Sequence, residues 1–124
     1  MDASLRPTLP ASDMDRAKAW YRDKLGLEPV DDTGDGGVWY ETGGARFLVY
    51  PSEFAGTNQA TAAGFEVEDF DATMADLRSR GVVFEDYDFG EDFRTVDGVL
   101  ALPDGGRGAW FKDSEGNILA VTNT

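Results

Sequence analysis

The side chains able to do chemistry in this chain are carboxylates, aromatic rings and a few arginines, because histidine and cysteine are both absent. Their absence excludes disulfides, thiolate nucleophiles and zinc–thiolate sites, and it removes the commonest metal ligand and general base. Acid–base work would fall to Glu, Asp, Tyr or Lys, and none stands at the spacing of a nucleophile triad or a paired-carboxylate glycosidase site. Glu41, Glu66 and Asp97 could supply an all-oxygen site for magnesium or manganese. Glu66 has the best claim because it lies in the strand that opens the second half, although the same alternation suits a solvated face. Trp39, Tyr40, Tyr50 and Trp110 are candidates to stack on a planar or cationic ligand, or simply to pack in strands. An acidic stretch from Glu85 to Asp92 interleaves carboxylates with Tyr87 and Phe89, followed by Phe93, and could cover a ligand or remain solvated. The turns Gly34-Asp35-Gly36-Gly37 and Asp104-Gly105-Gly106 are poor phosphate cradles, since their aspartates repel an anion and neither clearly opens a helix.

These residues must be positioned by elements that the pattern reveals. The closing stretch Trp110 to Val121 reads as a hairpin whose Asp-Ser-Glu-Gly-Asn centre can reverse the chain. In its second arm Ile118 and Ala120 share one face and Leu119 and Val121 the other. Ala3 to Pro10 is an edge-strand candidate limited by Pro7 and Pro10. Asp13 then caps a helix with Ala17, Tyr21 and Leu25 in one stripe, closed by Gly26. Strand patterns follow at Leu27–Val30, Val38–Thr42 and Ala45–Tyr50, the last two joined by Gly43-Gly44. The polar segment Pro51 to Ala60 connects to a second series: strand Ala62–Glu68, a helix from Asp69 to Gly81 with Phe70, Met74 and Leu77 on one face, and strands at Val82–Phe84 and Val96–Leu102 before the closing hairpin. The two capped helices recur at an offset of about 55 residues. The chain therefore reads as one α+β domain, residues 1–124, of two tandem βαβββ modules, about 1–55 and 60–124. Side by side they form a curved, cup-shaped mixed sheet with helices on the outer face.

The chain has 124 residues, enough for a core without staples. Its net charge of −13, from 24 acidic against 11 basic residues, disfavours nucleic acid and anionic membranes and favours a cationic ligand, although acidity also serves solubility. No apolar run approaches a membrane span and no basic-then-hydrophobic leader is present, so a soluble, intracellular, cytoplasmic protein is expected.

The segments Ser12-Asp13-Met14-Asp15-Arg16-Ala17 with Trp20 to Leu27, Val67-Glu68-Asp69 with Arg80-Gly81-Val82, and Trp110 to Ile118 resemble the vicinal oxygen chelate superfamily, also called the glyoxalase/bleomycin resistance/dioxygenase family. The resemblance spans nearly the whole chain and implies the cup-shaped fold; one fold hosts many chemistries, so it does not fix the reaction. Enzymes of this family hold a divalent metal in the cup with His, Gln or Glu. Carried over position by position, the ligands fall at Arg6, near Leu48, near Ala62 and at Ala120. Arginine repels a cation, and leucine and alanine have no donor, so the resemblance implies that the usual metal site is missing and no cofactor is expected. Ile118, Tyr50 and Trp110 should then line an apolar cup with an aromatic wall, together with Trp39. Arg6, if it projects into the cup, could pair with a ligand carboxylate or phosphate or with Glu66 of the opposing module.

The expected function is a metal-free module that sequesters a small organic molecule, cationic or aromatic. The alternative is a lyase, isomerase or dioxygenase-like enzyme with a relocated or absent metal; a third reading is an interaction subunit with a vestigial cup. The resemblance also implies a homodimer.

Overall fold

A computed structural model describes residues 1–123, and its elements follow from local chemistry. β1 (Thr8–Ala11) leads to Asp13, whose extended backbone and carboxylate, accepting from the Arg16 N–H at 3.0 Å, start α1 (Met14–Trp20). The helix continues as a π-helical turn, Tyr21–Leu25, and stops at Gly26, where φ is 69°. β2 (Asp31–Asp32), β3 (Val38–Thr42) and β4 (Ala45–Pro51) follow, with Gly43 and Gly44 at φ 58° and 79° making the tight turn between the last two. The second series is β5 (Thr61–Glu66), α2 (Phe70–Ser79) capped by Asp69 onto the Ala72 N–H, β6 (Leu100–Ala101), β7 (Arg107–Lys112) and β8 (Ile118–Asn123).

The two series build two mixed four-stranded sheets with the same strand order, β1-β4-β3-β2 and β5-β8-β7-β6. In each, the first strand runs parallel to the last and the other pairs are antiparallel. The α+β class and the duplicated βαβββ pattern are thus present. A single core takes Leu9, Tyr40, Phe47 and Val49 from one sheet and Phe111, Leu119 and Val121 from the other, together with Ala17 and Tyr21 of the first helix and Phe70, Met74 and Leu77 of the second. Because side chains alternate along a strand, the opposite face of each sheet is turned away from the helices.

Several strand boundaries differ from expectation: β1 starts at Thr8 rather than Ala3 and carries Pro10 inside it, opposite Tyr50, and β5 runs Thr61–Glu66 rather than Ala62–Glu68. Leu27 does not begin a strand: its N–H bonds Tyr21 O at 3.1 Å, closing the helix, and Pro29 lacks a donor, so pairing begins only with Val30 N–H to Trp39 O and β2 behind it. Val82 likewise caps α2 through Leu77 O, leaving only a bridge from Phe84 to Phe111. Val96 to Leu102 contains a tight reversal bridging Val96 and Val99, with Asp97 at φ 53° and Gly98 at φ 78°.

The closing turn ties the halves together. Asp113 is buried and accepts from the Glu115 and Asn117 N–H groups, from Asn117 Nδ2 at 2.8 Å and from the Tyr21 hydroxyl at 2.6 Å. Glu115, also buried, accepts from the Asp13 N–H at 2.9 Å and from Arg16 through Nε at 2.8 Å and Nη2 at 3.0 Å. Burial alone would raise its pKa; the Arg16, Asp13 and Ser114 hydrogen bonds and the Arg16 charge outweigh that and hold it at about 2. Asn117 Nδ2 also donates to Pro10 O at 2.9 Å, so one turn grips β1 and the start of α1. Among the described residues no helix is long and apolar enough to cross a membrane.

Candidate functional site

The inner face of the first sheet is set by which rings the core takes. Tyr40 is fully buried between Tyr21 and Phe47, at ring separations of 5.1 and 5.2 Å, which removes it as a stacking candidate and sends Trp39 to the other face. Leu48 pairs with Thr8 on one side and Trp39 on the other, and Tyr50 pairs with Pro10, so Trp39, Leu48 and Tyr50 share this half-buried face. Arg6 lies just ahead of β1, exposed, with its guanidinium carbon 5.8 Å from the centre of the Trp39 ring. The side chain therefore spans the width of the β4 strand to reach that ring.

On the second sheet Trp110, Ala120 and Gly64 are successive register partners, and Glu66 pairs with Thr122, which puts Trp110, Ile118, Ala120 and Glu66 on its inner face. Ala120 is buried there, whereas Glu66 is exposed. Ala62 falls in a bulge: Thr61 pairs with Ile118 and Ala63 with Leu119, so counting by twos along this strand fails. Thr61 stands beside the tryptophan instead, its hydroxyl accepting from Trp110 Nε1 at 3.1 Å.

The acidic loop folds over Trp110. Tyr87 meets the indole edge-on and Phe93 meets it tilted, both at 5.9 Å, while Phe89 stacks on Tyr87 at 5.8 Å and lies 5.6 Å from Phe93. Buried Thr95 organises the loop, accepting the Tyr87 N–H at 2.7 Å and donating to Asp86, which also takes the Gly98 N–H. Partial burial and the charge of Glu85 raise the Tyr87 pKa, so its hydroxyl stays protonated at neutral pH. Despite this packing Phe89 is 74% and Phe93 37% exposed. The result is an open aromatic patch edged by carboxylates, suited to flat or positively charged groups.

The three carboxylates named as a replacement metal site do not converge. Glu41 is next to the last residue of β3 in one sheet, Glu66 ends β5 in the other, and Asp97 sits in the reversal where Arg78 bonds its carbonyl. Among the described residues no group of three Asp or Glu side chains could hold a metal ion. The donor chemistry at Arg6, Leu48, Ala62 and Ala120 does not fit a divalent cation either. A cleft of about 920 Å³ opens between the halves, with Leu9, Leu27, Phe47 and Phe65 on its walls and Arg46 and Glu66 beside them. Arg6 and Trp39 belong to the first sheet and Trp110 to the second, and among the described residues no ring contact or ion pair links them.

Sequence reasoning misses Thr61 and the way Tyr87 and Phe93 meet on Trp110. Thr61 is hidden by the bulge, which no local residue announces. Phe93 and Tyr87 are visible as loop aromatics, but their meeting on Trp110 depends on the Thr95 anchor, eight residues beyond Tyr87.

The comparisons with known proteins agree with this architecture. A search of curated proteins finds no significant match. Among solved structures, a glyoxalase/bleomycin resistance protein from Catenulispora acidiphila superposes with a TM-score of 0.71 at 24% identity, covering 99% of each chain. A lactoylglutathione lyase from Agrobacterium tumefaciens gives 0.72 at 20% identity over 99% of this chain and 94% of its own. A fosfomycin resistance protein from Listeria monocytogenes, in complex with Mn(II) and dihydroxypropylphosphonic acid, gives 0.66 at 16% identity over 98% and 90%. At these identities the likeness is one of fold. The model of the Glyoxalase/Bleomycin resistance protein/Dioxygenase superfamily matches residues 5–121, and the chain belongs to that superfamily.

Proposed function

We propose that this protein binds a small organic molecule bearing an aromatic or cationic group, without a metal, on the inner faces of its two sheets. The observation that carries this reading is the patch on Trp110: four rings joined in a loop of contacts, half-buried at Trp110 and Tyr87 but open to solvent at Phe89, and edged by acidic residues. Packing alone gives no reason to leave Phe89 so exposed, whereas a ligand that covers it gains both apolar burial and cation–π attraction. The scattered carboxylates and the donor-free positions on β4 and β8 support a metal-independent mode over the alternative of a relocated metal. The reading includes a homodimer, as the family resemblance implies, in which the second copy completes each cup.

Elemental analysis with native mass spectrometry of the purified protein tests the proposal. A stoichiometric divalent ion would overturn it. Titration with benzyltrimethylammonium and with neutral benzyl alcohol should show the cation binding more tightly, the difference shrinking with salt, and Trp110→Ala should abolish both. Equal binding by the Trp110→Ala variant would remove the patch from consideration, and a monomer at micromolar concentration by sedimentation would remove the shared cup.

A further inference from the structure

We propose that Arg6, whose guanidinium lies over the Trp39 ring, is an anion-binding subsite that accepts a planar carboxylate on the ligand, the chain's own guanidinium supplying the positive charge in a cup where, among the described residues, no group of carboxylates could hold a metal. The inference rests on reading the inner faces as the binding site. Its basis is a contrast of charge. Acidic residues outnumber basic ones by 24 to 11, and Arg16, Arg22, Arg80, Arg94 and Arg107 are each ion-paired to one of them. Arg6 is not: among the described residues it forms no ion pair or hydrogen bond, and its one partner is the Trp39 ring. Asp31 and Glu41 lie on this same sheet, Asp31 directly paired with Trp39, yet neither reaches ion-pair distance of Arg6.

Stacking on an indole restrains a guanidinium while leaving its in-plane N–H groups open, the arrangement that meets a carboxylate with two parallel hydrogen bonds. Arg46 stands nearby, with Glu41 opposite it in the sheet. It precedes Leu48 by two residues as Arg6 precedes Thr8, and Thr8 and Leu48 are register partners, so two arginines come from adjacent strands at one level; Arg46 too is without an ion pair among the described residues. Leu48 and Tyr50 continue the same face and offer an apolar wall for the body of the ligand. A flat aromatic carboxylate satisfies both parts.

The test uses the full-length protein and compares 2-naphthoate with its uncharged isostere 2-naphthamide, by calorimetry and by the indole N–H resonance of Trp39, assigned through Trp39→Phe. Phenylphosphonate distinguishes a flat carboxylate from a tetrahedral anion. The expected result is at least tenfold tighter binding of naphthoate than of naphthamide or phenylphosphonate, weakened by salt. Arg6→Ala, at an exposed position outside the core, should erase that preference, and Arg6→Lys should restore only part of it because an ammonium lacks the planar fork. Absence of naphthoate binding, equal binding of acid and amide, or a preference that survives Arg6→Ala each overturn the proposal. If those occur while naphthamide still perturbs Trp110, the aromatic-patch reading stands without this subsite; if naphthoate shifts Trp39 while Trp110→Ala changes nothing, the subsite stands and the patch does not.

Discussion

Replacing Glu115 by glutamine should loosen the joint between the closing turn and α1 without removing side-chain volume. The side chain is fully shielded from solvent, and its pKa falls from 4.5 to about 2 in the folded protein. A fall of that size contributes on the order of 3 kcal/mol at neutral pH, and screening at the half-exposed Arg16 reduces the expected loss to about 2 kcal/mol. Urea denaturation should therefore show the midpoint of Glu115→Gln lowered by about 1 M at pH 7, with an unchanged slope. The sign with pH is fixed: a folded pKa below the unfolded one gives stability that is complete above 4.5 and lost as pH falls towards 2. The gap between wild type and variant should accordingly close across that window, while the other carboxylates titrate alike in both. A gap that stays constant from pH 7 to pH 2.5, or no gap at pH 7, would refute the assignment of this charge to holding α1 against the turn.

Other parts of the molecule make independent predictions. Tyr21→Phe removes the hydroxyl that donates to Asp113 at 2.6 Å and should cost about 1–3 kcal/mol by chemical denaturation, since the acceptor stays buried. Tyr40→Phe should do the opposite, leaving stability unchanged or higher, because the Tyr40 hydroxyl is buried without a hydrogen-bond partner among the described residues. Burial, with the charge of Glu28, raises the Tyr40 pKa to about 12; an alkaline absorbance titration should show a tyrosine component near that pH which is lost in Tyr40→Phe. Gly116→Ala should cost more than 2 kcal/mol, read from the thermal midpoint: φ is 85° there, and a Cβ would stand 2.8 Å from Gly56 Cα.

Much of the fold was legible because its signals are local. Asp13 and Asp69 cap helices, Gly26 ends one, and Gly43-Gly44 turns a hairpin, each through chemistry complete within a few residues. The split of the closing arm into Leu119 and Val121 against Ile118 and Ala120 followed from alternation alone. What failed required information from afar. Trp39 and Tyr40 are adjacent aromatics with equal claims on the core, decided by Tyr21 and Phe47. Leu27 looked like a strand residue, yet its N–H was already committed to the helix end. On the inner faces, Ile118 and Ala120 could be placed by counting and Glu66 was left between the cup and a solvated face, while the bulge at Ala62 broke the count and brought Thr61 forward. The acidic loop was visible only as composition; its closure onto Trp110 depends on the Thr95 hydroxyl.

The Asp113–Asn117 turn grips residues 92 to 107 positions earlier in the chain, at Pro10, Ser12, Asp13, Arg16 and Tyr21. A nascent polypeptide cannot make these contacts on the ribosome until residues 113–117 have emerged, and loop closure over such spans slows the docking. The same wiring suits fragment complementation: halves severed within the exposed Asn58–Ala60 connector retain every one of these cross-links as an intermolecular contact, so separately expressed pieces should find one another.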